Sequence, residues 1–219
     1  MHSESKTGTA RDYHQLLDWN GGGKALRVSE REIPRPTPEN IGCRRILHLS
    51  GRSDLSGGPI SMLRLIEGLD ANFFFHMVVC PQDPEGVVSN LERLGHVEVE
   101  SMDLRRLDPR LLWKLRKLIR KKSVDLIHCH GKAAGLYGRP LGRWSGIPVL
   151  HQHHGLHYRH YPPVFRSLYL LLERMLSRWS EYVICVSESE CAEAETLKLF
   201  APGKGVVIHN GVDGERFHP

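Results

Sequence analysis

From Arg44 onward the sequence alternates short apolar runs with segments of helical periodicity, and that alternation leaves few folds open. The runs are RRILHLS, FFFHMVVC, VEVESMD, VDLIHCH, IPVLHQHH, YVICVS and GVVIHN. Their apolar residues sit mostly at consecutive positions, as in strands covered on both faces. The segments between them carry helix signals. Pro59 suits a first turn, and Met62, Leu65, Ile66 and Leu69 follow at i, i+3, i+4 and i+7, on one stripe. GVVSNLERLG predicts a short helix. In LDPRLLWKLRKLIRKK, Asp108 is the cap and Pro109 the first turn, and Leu111, Leu112, Leu115, Leu118 and Ile119 form the buried face. GKAAGLYGRPLGRWSG predicts a helix broken near Pro140. A further helix is expected over Val164 to Trp179, and Ser187 with Glu190 three residues on forms a capping box for the next. The predicted fold class is α/β, a doubly wound parallel sheet of Rossmann-like type with helices on both sides.

Residues 1–43 read differently. Gly21-Gly22-Gly23 and IPRPTPEN are linker-like, and only DYHQLLDW suggests a short helix. A flexible N-terminal tail is expected there. It has no apolar h-region, so it is not a secretory signal. The most apolar stretch, Val164 to Trp179, is interrupted by Arg166, Glu173 and Arg174 and is too short to span a bilayer. The five cysteines, Cys43, Cys80, Cys129, Cys185 and Cys191, are odd in number and form no C-x-x-C. Buried reduced thiols in a cytoplasmic protein are the simplest reading. The formal charge of +5 and pI near 9.0 favour anionic partners such as phosphates or acidic lipid head groups. Nucleic acid is not expected among the partners.

In an open parallel sheet, ligands bind beyond the carboxyl ends of the strands. The unusual polar residues fall there. Gly57 and Gly58 follow the first strand, His128 and His130 end the fourth, His151, His153 and His154 end the fifth, and Ser187 ends the sixth. Gly57-Gly58 before a helix start reads either as a phosphate seat or as a tight strand-to-helix turn. It is not G-x-G-x-x-G, and no G-x-x-x-x-G-K-[ST] occurs, which argues against dinucleotide and P-loop sites. His128 and His130 share one face of their strand, as do His151 and His153. Such histidines either ligate a metal, bind a polyhydroxylated substrate or merely satisfy loop hydrogen bonds. His154, next to Gly155, is the one that reads as functional. The helix from Asp108 carries Arg110, Lys114, Arg116, Lys117, Arg120, Lys121 and Lys122, a solvated face that could also meet an anionic membrane.

Taken in order, SDLSGGP, DLIHCHG, IPVLHQHHGLHY, YVICVSES and VIHNGVDGERFHP resemble the N-terminal domain of retaining glycosyltransferases of the family-4 type, with the GT-B fold. The similarity runs from about Arg44 to Pro219. It implies residues 44–209 as a Rossmann-like, acceptor-side domain and residues 210–219 as a hinge into a second, donor-binding domain. Gly57 and Gly58 match first-loop glycines that lie against the donor diphosphate and the acceptor. His154 matches the catalytic-site histidine beside the transferred sugar, and His130 the H-x-H strand end lining the acceptor side. Ser187 matches the Ser closing V-x-S, and Asn210 and Gly211 match the hinge. Pro59 and His209 depart from the family pattern, replacing a small residue and a Pro. The resemblance implies a metal-independent reaction without a cofactor, moving a sugar from a nucleotide-sugar donor to a glycan or lipid-linked acceptor. The family's E-x7-E pair and donor-binding Arg and Lys lie in the second domain. Alone, this chain is therefore expected to transfer sugar poorly or not at all, as a truncated product, a fragment or one subunit working with a partner chain.

Two other classes fit parts of the pattern. One is a non-catalytic sugar- or nucleotide-binding module. The other is a metal hydrolase built on His128 and His130, which needs further His and Asp ligands from other strands.

Overall fold

A computed structural model describes residues 43–83 and 85–211. The short helix expected in DYHQLLDW and most of the hinge lie outside them. Within them the chain alternates as its apolar runs predict: β1 (Arg44–Ser50), α1 (Gly57–Gly68), β2 (Phe74–Cys80), α2 (Val88–Arg93), β3 (Val97–Ser101), α3 (Pro109–Lys122), β4 (Leu126–His130), α4 (Gly131–Ser145), β5 (Val149–Gln152), α5 (Pro163–Ser177), β6 (Tyr182–Cys185), α6 (Glu188–Thr196) and β7 (Gly205–Val207).

All pairings are parallel, and the strand order is β3-β2-β1-β4-β5-β6-β7. The winding runs outward from β1 to β3, crosses back through α3 to β4, and then runs outward the other way. The reversal lies between β1 and β4, where Ile46 pairs with Leu126, His48 with His128 and Ser50 with His130.

Side chains alternate across the sheet, so each face has its own core. On one face Leu47, Leu49, Met77, Val79, Ile127, Cys129 and Val149 pack against Leu115 and Ile119 of α3 and Ala134, Tyr137 and Leu141 of α4. On the other, Val78 and Cys80 pack against Met62, Leu63 and Ile66 of α1 and Leu91 of α2. Ile46, Phe74, Leu126, Leu150 and Ile184 extend that second layer. Cys80, Cys129 and Cys185 are buried free thiols, and burial pushes Cys80 and Cys129 up to about 12.

Caps follow the sequence in part. Asp108 accepts from the Arg110 amide at 2.8 Å, with Pro109 at the first turn. The Ser187 hydroxyl accepts from the Glu190 amide at 3.2 Å, but Glu190 does not complete the box. Its carboxylate instead accepts from the Val186 and Gly155 amides at 2.8 and 2.7 Å, tying two loops together.

The break expected at Pro140 does not occur, and α4 runs unbroken from Gly131 to Ser145. A proline interior to a free helix costs about 3 kcal/mol; here burial on three sides offsets it. Gly138 and Gly142 let α4 lie directly on the sheet, since a Cβ at either would overlap Cys129 or Val149. Across its other side α4 is joined to α5 by a bidentate ion pair. Arg139 donates through Nη1 and Nη2 to Glu173 at 2.8 and 3.0 Å and through Nε to the Gly135 carbonyl at 3.1 Å. Arg139 is 0 % exposed and Glu173 2 %. Gly135 leaves room for the guanidinium, since a Cβ there would come within 2.7 Å of it.

Removing one member of such a buried pair strands the other charge, which costs about 3–5 kcal/mol. Glu173→Ala is therefore expected to lower the thermal midpoint sharply, and the double variant Arg139→Met/Glu173→Leu to recover much of the loss. Calorimetry of the two proteins checks this. A Glu173→Ala midpoint equal to that of the parent would contradict it.

Candidate functional site

The carboxyl ends of β1, β4, β5, β6 and β7 form one rim. After β1 the loop runs through Ser53, which accepts from the Val87 amide at 2.7 Å, into α1. Ser56 stands at the N-cap of α1, but its hydroxyl donates to Asp54 at 2.7 Å rather than capping the first turn. Arg52 pairs with the same carboxylate, and these two partners hold Asp54 down at about 2. The amides of Gly57 and Gly58 thus open the helix without a side-chain cap. A Cβ at Gly57 would meet nothing within 4 Å, whereas one at Gly58 would lie 3.4 Å from the His154 ring. Gly58 is thus the glycine that faces His154, where a Cβ would just reach van der Waals contact with the ring.

His130 and His154 are each followed by a glycine in the left-handed region, Gly131 at φ 77° and Gly155 at φ 94°. Those turns carry the chain away from the rim just after each imidazole is presented. His154 is half-buried, and its Nε2 lies 3.5 Å from His130 Nδ1. His130 is 5 % exposed. His128 sits one pleat lower and is fully buried, its ring 3.9 Å from that of His130, so it underlies the rim without surface on it. Asn210, beyond β7, accepts from the Ser61 hydroxyl of α1 at 2.7 Å. Ser187, beyond β6, shares a cleft of about 270 Å³ with Gly155, Leu156, Val186, Ser189 and Glu190. Gly58, His130 and His154 thus meet directly at the point where the winding reverses. Ser187 joins them through Glu190 and Gly155, and Asn210 through α1.

Two residues missing from the sequence reading matter here. His48 of β1 and His76 of β2 are fully buried beneath α1. His130 Nε2 lies 3.2 Å from His48 Nδ1, and His48 Nε2 lies 3.0 Å from His76 Nδ1. A histidine inside an apolar run gives no sign in sequence of which strand stands beside it. Only the β1–β4 and β1–β2 pairings bring these rings together.

On the opposite face of the sheet, His151 and His153 meet ring to ring at 4.8 Å, close to Arg139 and Glu173. Two trios among the described residues have ligand atoms within 4.8 Å of one another: His48, His128 and His130, and His151, His153 and Glu173. Neither offers a catalytic metal the open coordination position it needs. Glu173 is already held by Arg139, whose charge opposes a cation, and the three histidines of the first trio are all buried. The Asp ligand that the hydrolase reading expects beside His128 and His130 is in neither trio.

The model of Glycosyltransferase Family 4 matches residues 55–216. The chain belongs to glycosyltransferase family 4. An Escherichia coli UDP-Gal:alpha-D-GlcNAc-diphosphoundecaprenol alpha-1,3-galactosyltransferase is 33% identical over 115 residues, which cover 51% of this chain and 30% of that protein. Among solved structures, Anabaena HepE in complex with UDP and glucose superposes with a TM-score of 0.63 at 18% identity, over 78% of this chain and 46% of that one. Sucrose-phosphate synthase from Thermosynechococcus elongatus gives 0.62 at 18% identity, over 80% of this chain and 50% of that one. The family-4 chain described here thus spans at most half the length of these three relatives. The Rossmann-like α/β fold implied by its motifs agrees with the fold of these neighbours.

The electrostatics of this glycosyltransferase domain centre on neutral imidazoles. Burial, before any neighbouring charge, holds His154, His76 and His153 at about 4. It drives His48, His128, His130 and His151 well below the ordinary value, with nearby histidines and, at His151, Arg139 adding to the effect. At neutral pH His154 therefore acts as a hydrogen-bonding group without charge.

The unfolded chain takes up these protons near pH 6.5 and the folded chain resists them, so protons bind the unfolded state preferentially. Stability is fully present above that pH and is lost as pH falls from 6.5 toward 4, by up to about 1.4 kcal/mol per pH unit for each such histidine. A thermal midpoint that is level in mild alkali and falls steeply across this window is expected. A midpoint unchanged down to pH 5 would contradict burial of neutral histidines.

Proposed function

We propose that residues 44–209 form the acceptor-side wall of a retaining sugar transferase, completed by a donor-binding domain entered through the hinge at 210–219. The reaction moves a sugar from a nucleoside diphosphate donor to a glycan or lipid-linked acceptor. Its supporting observation is the contact between Gly58 and His154 at the reversal of the sheet. There the uncapped first turn of α1 supplies backbone N–H groups and a positive dipole for the donor diphosphate. His154 hydrogen-bonds the sugar being transferred, His130 lines the acceptor side, and Ser187 and Asn210 border the cleft. Departure of the nucleoside diphosphate leaves charge on its phosphate oxygens, which helix N–H groups and basic side chains of the second domain stabilise with no metal required. The E. coli relative's name includes UDP-Gal and a diphosphoundecaprenol acceptor. A uridine diphosphate sugar and a polyprenyl diphosphate acceptor are the first substrates to assay.

Reconstitution tests this reading. Mixed with a partner chain carrying the E-x7-E domain, the protein is expected to transfer radiolabelled sugar to the acceptor, and His154→Ala to lower kcat about 100-fold. Donor hydrolysis without transfer to any acceptor, or full activity of His154→Ala, would overturn it. A non-catalytic module would show neither activity, with or without the partner.

A lipid-linked acceptor fits a second surface. Among the described residues no helix is long and apolar enough to cross a membrane. The outer face of α5 nonetheless exposes Val164, Phe165, Leu168, Leu171 and Met175, each at 50 % or more. On the same side of the sheet α3 carries its basic face, with Trp113 exposed beside Arg116 and Lys117. An exposed apolar helix face on the side of the sheet that also carries a basic helix is a pattern suited to interfacial docking. The double variant Phe165→Asp/Leu168→Asp, both exposed positions, is expected to lose sedimentation with vesicles of anionic phospholipid while keeping its thermal midpoint. Undiminished sedimentation would remove this surface from the reading.

A further inference from the structure

The histidines beneath α1 form a chain with a direction. His154 Nε2 faces His130 Nδ1 at 3.5 Å, His130 Nε2 faces His48 Nδ1 at 3.2 Å, and His48 Nε2 faces His76 Nδ1 at 3.0 Å. Every link joins the Nε2 of one ring to the Nδ1 of the next. A neutral imidazole carries one proton, so one of its nitrogens donates and the other accepts. Fixing the proton on any ring therefore fixes it on all four, and two registers satisfy every link.

The inner end separates them. His76 Nε2 is buried and has no hydrogen-bond partner. If each ring carried its proton on Nε2, that atom would be a buried N–H without an acceptor. If each carried it on Nδ1, the same atom would be a bare lone pair. Orphaned buried N–H groups are rarer than under-used acceptors. His96 does not relieve the first register. Its Nδ1 donates to the Leu94 carbonyl at 2.7 Å, its Nε2 is likewise unpartnered, and its ring meets His76 with centroids 6.0 Å apart.

We infer that His76, His48 and His130 are positioning residues that fix the tautomer of His154, leaving its proton on Nδ1 and its Nε2 engaged as an acceptor. The ring that meets the substrate thereby becomes a hydrogen-bond donor, suited to a hydroxyl, ring or phosphate oxygen of the nucleotide sugar. Its remaining lone pair is occupied by His130 and is not free to take a proton from the acceptor. That use rests on the transferase reading; the tautomer itself does not. Tautomer choice also explains why two strands spend fully buried positions on histidine, where an apolar residue would pack without any unpartnered nitrogen.

Two-bond proton–nitrogen spectra of the full chain, labelled with 15N-histidine, read the proton positions directly. His154, His130 and His48 are expected to show protonated Nδ1 and bare Nε2. His76→Phe keeps the ring volume and removes the innermost donor, and is expected to turn the single His154 tautomer into a mixture. His76→Asn, whose amide N–H stands near the place of Nδ1–H, is expected to restore it. A His154 proton on Nε2 in the parent protein overturns the inference, as does an unaltered His154 signal in folded His76→Phe. Zinc retained at one per chain after purification overturns it too, because a metal among His48, His128 and His130 takes the nitrogens the chain uses. If His76→Phe fails to fold, the parent spectrum still decides the register. None of these spectra depends on sugar transfer. Loss of activity on reconstitution with the His154 tautomer intact would count against the transferase reading, and a wrong tautomer in an active enzyme against this one.

Discussion

Everything in this domain is placed by the reversal of winding between β1 and β4. A parallel sheet has to return its chain by crossovers of one hand, and where the direction of travel changes, the loops on either side part and leave a crevice. Gly57 and Gly58 enter α1 from one side of that parting. His130 and Gly131 enter α4 from the other. The same pairing sets His48 beside His128 and Ser50 beside His130. The topology that opens the crevice therefore also lines its floor with imidazoles. A sheet wound in one direction throughout would keep the strands and lose both.

The second consequence is electrostatic. A floor of fully buried imidazoles tolerates no proton beyond one per ring, because a charge there would have to be desolvated with no carboxylate to answer it. The charged groups of the core have been segregated to the other face. Arg139 and Glu173 satisfy each other there, between α4 and α5, and Arg139 further disfavours a proton on His151. The sheet thus separates a neutral polar layer, suited to directing hydrogen bonds at a sugar, from a paired ionic layer that fastens two helices. In the proposed reaction, fixed dipoles at the crevice would cost no reorganisation as charge develops on a departing phosphate, so a neutral wall would assist chemistry whose charges are supplied from outside it.

Much of this was legible in the sequence, for reasons that differ by element. The seven strands declared themselves by consecutive apolar residues, and α3 by Asp108, Pro109 and its leucine stripe. His154 and Gly58 were legible because each stands at an element boundary, where the carboxyl-end rule applies. Pro140 misled, because a helix pressed against β4 and β5 through Gly138 and Gly142 gains more from packing than one missing hydrogen bond removes. Glu190 misled in a subtler way: its spacing from Ser187 fits a local cap, whereas its carboxylate reaches across to the Gly155 amide thirty-five residues away. His48 and His76 were invisible because their meaning is a matter of strand neighbours. Within its own run each looks like a polar interruption.

The proposed division of labour with a donor-binding domain follows from the same physics. A wall made of backbone N–H groups, a hydroxyl, an amide and neutral imidazoles can orient a sugar and exclude water, and its cation Lys132, next to Gly131, lies over the Tyr161 and Tyr169 rings and donates to the Tyr161 hydroxyl at 3.1 Å. Arg52 is near the crevice, yet it is paired to Asp54, which lowers its value as a free cation. The basic residues that remain unpaired on α3 belong to the opposite layer of the molecule. A donor held only here would be bound through its sugar and loosely through its phosphates. The proposed partition follows: specificity for the acceptor and the geometry of transfer reside in this half, and affinity for the nucleotide in the other. Productive alignment then requires closure of the two walls, since holding both reactants in place supplies much of the barrier reduction open to a reaction with no covalent help from a cofactor.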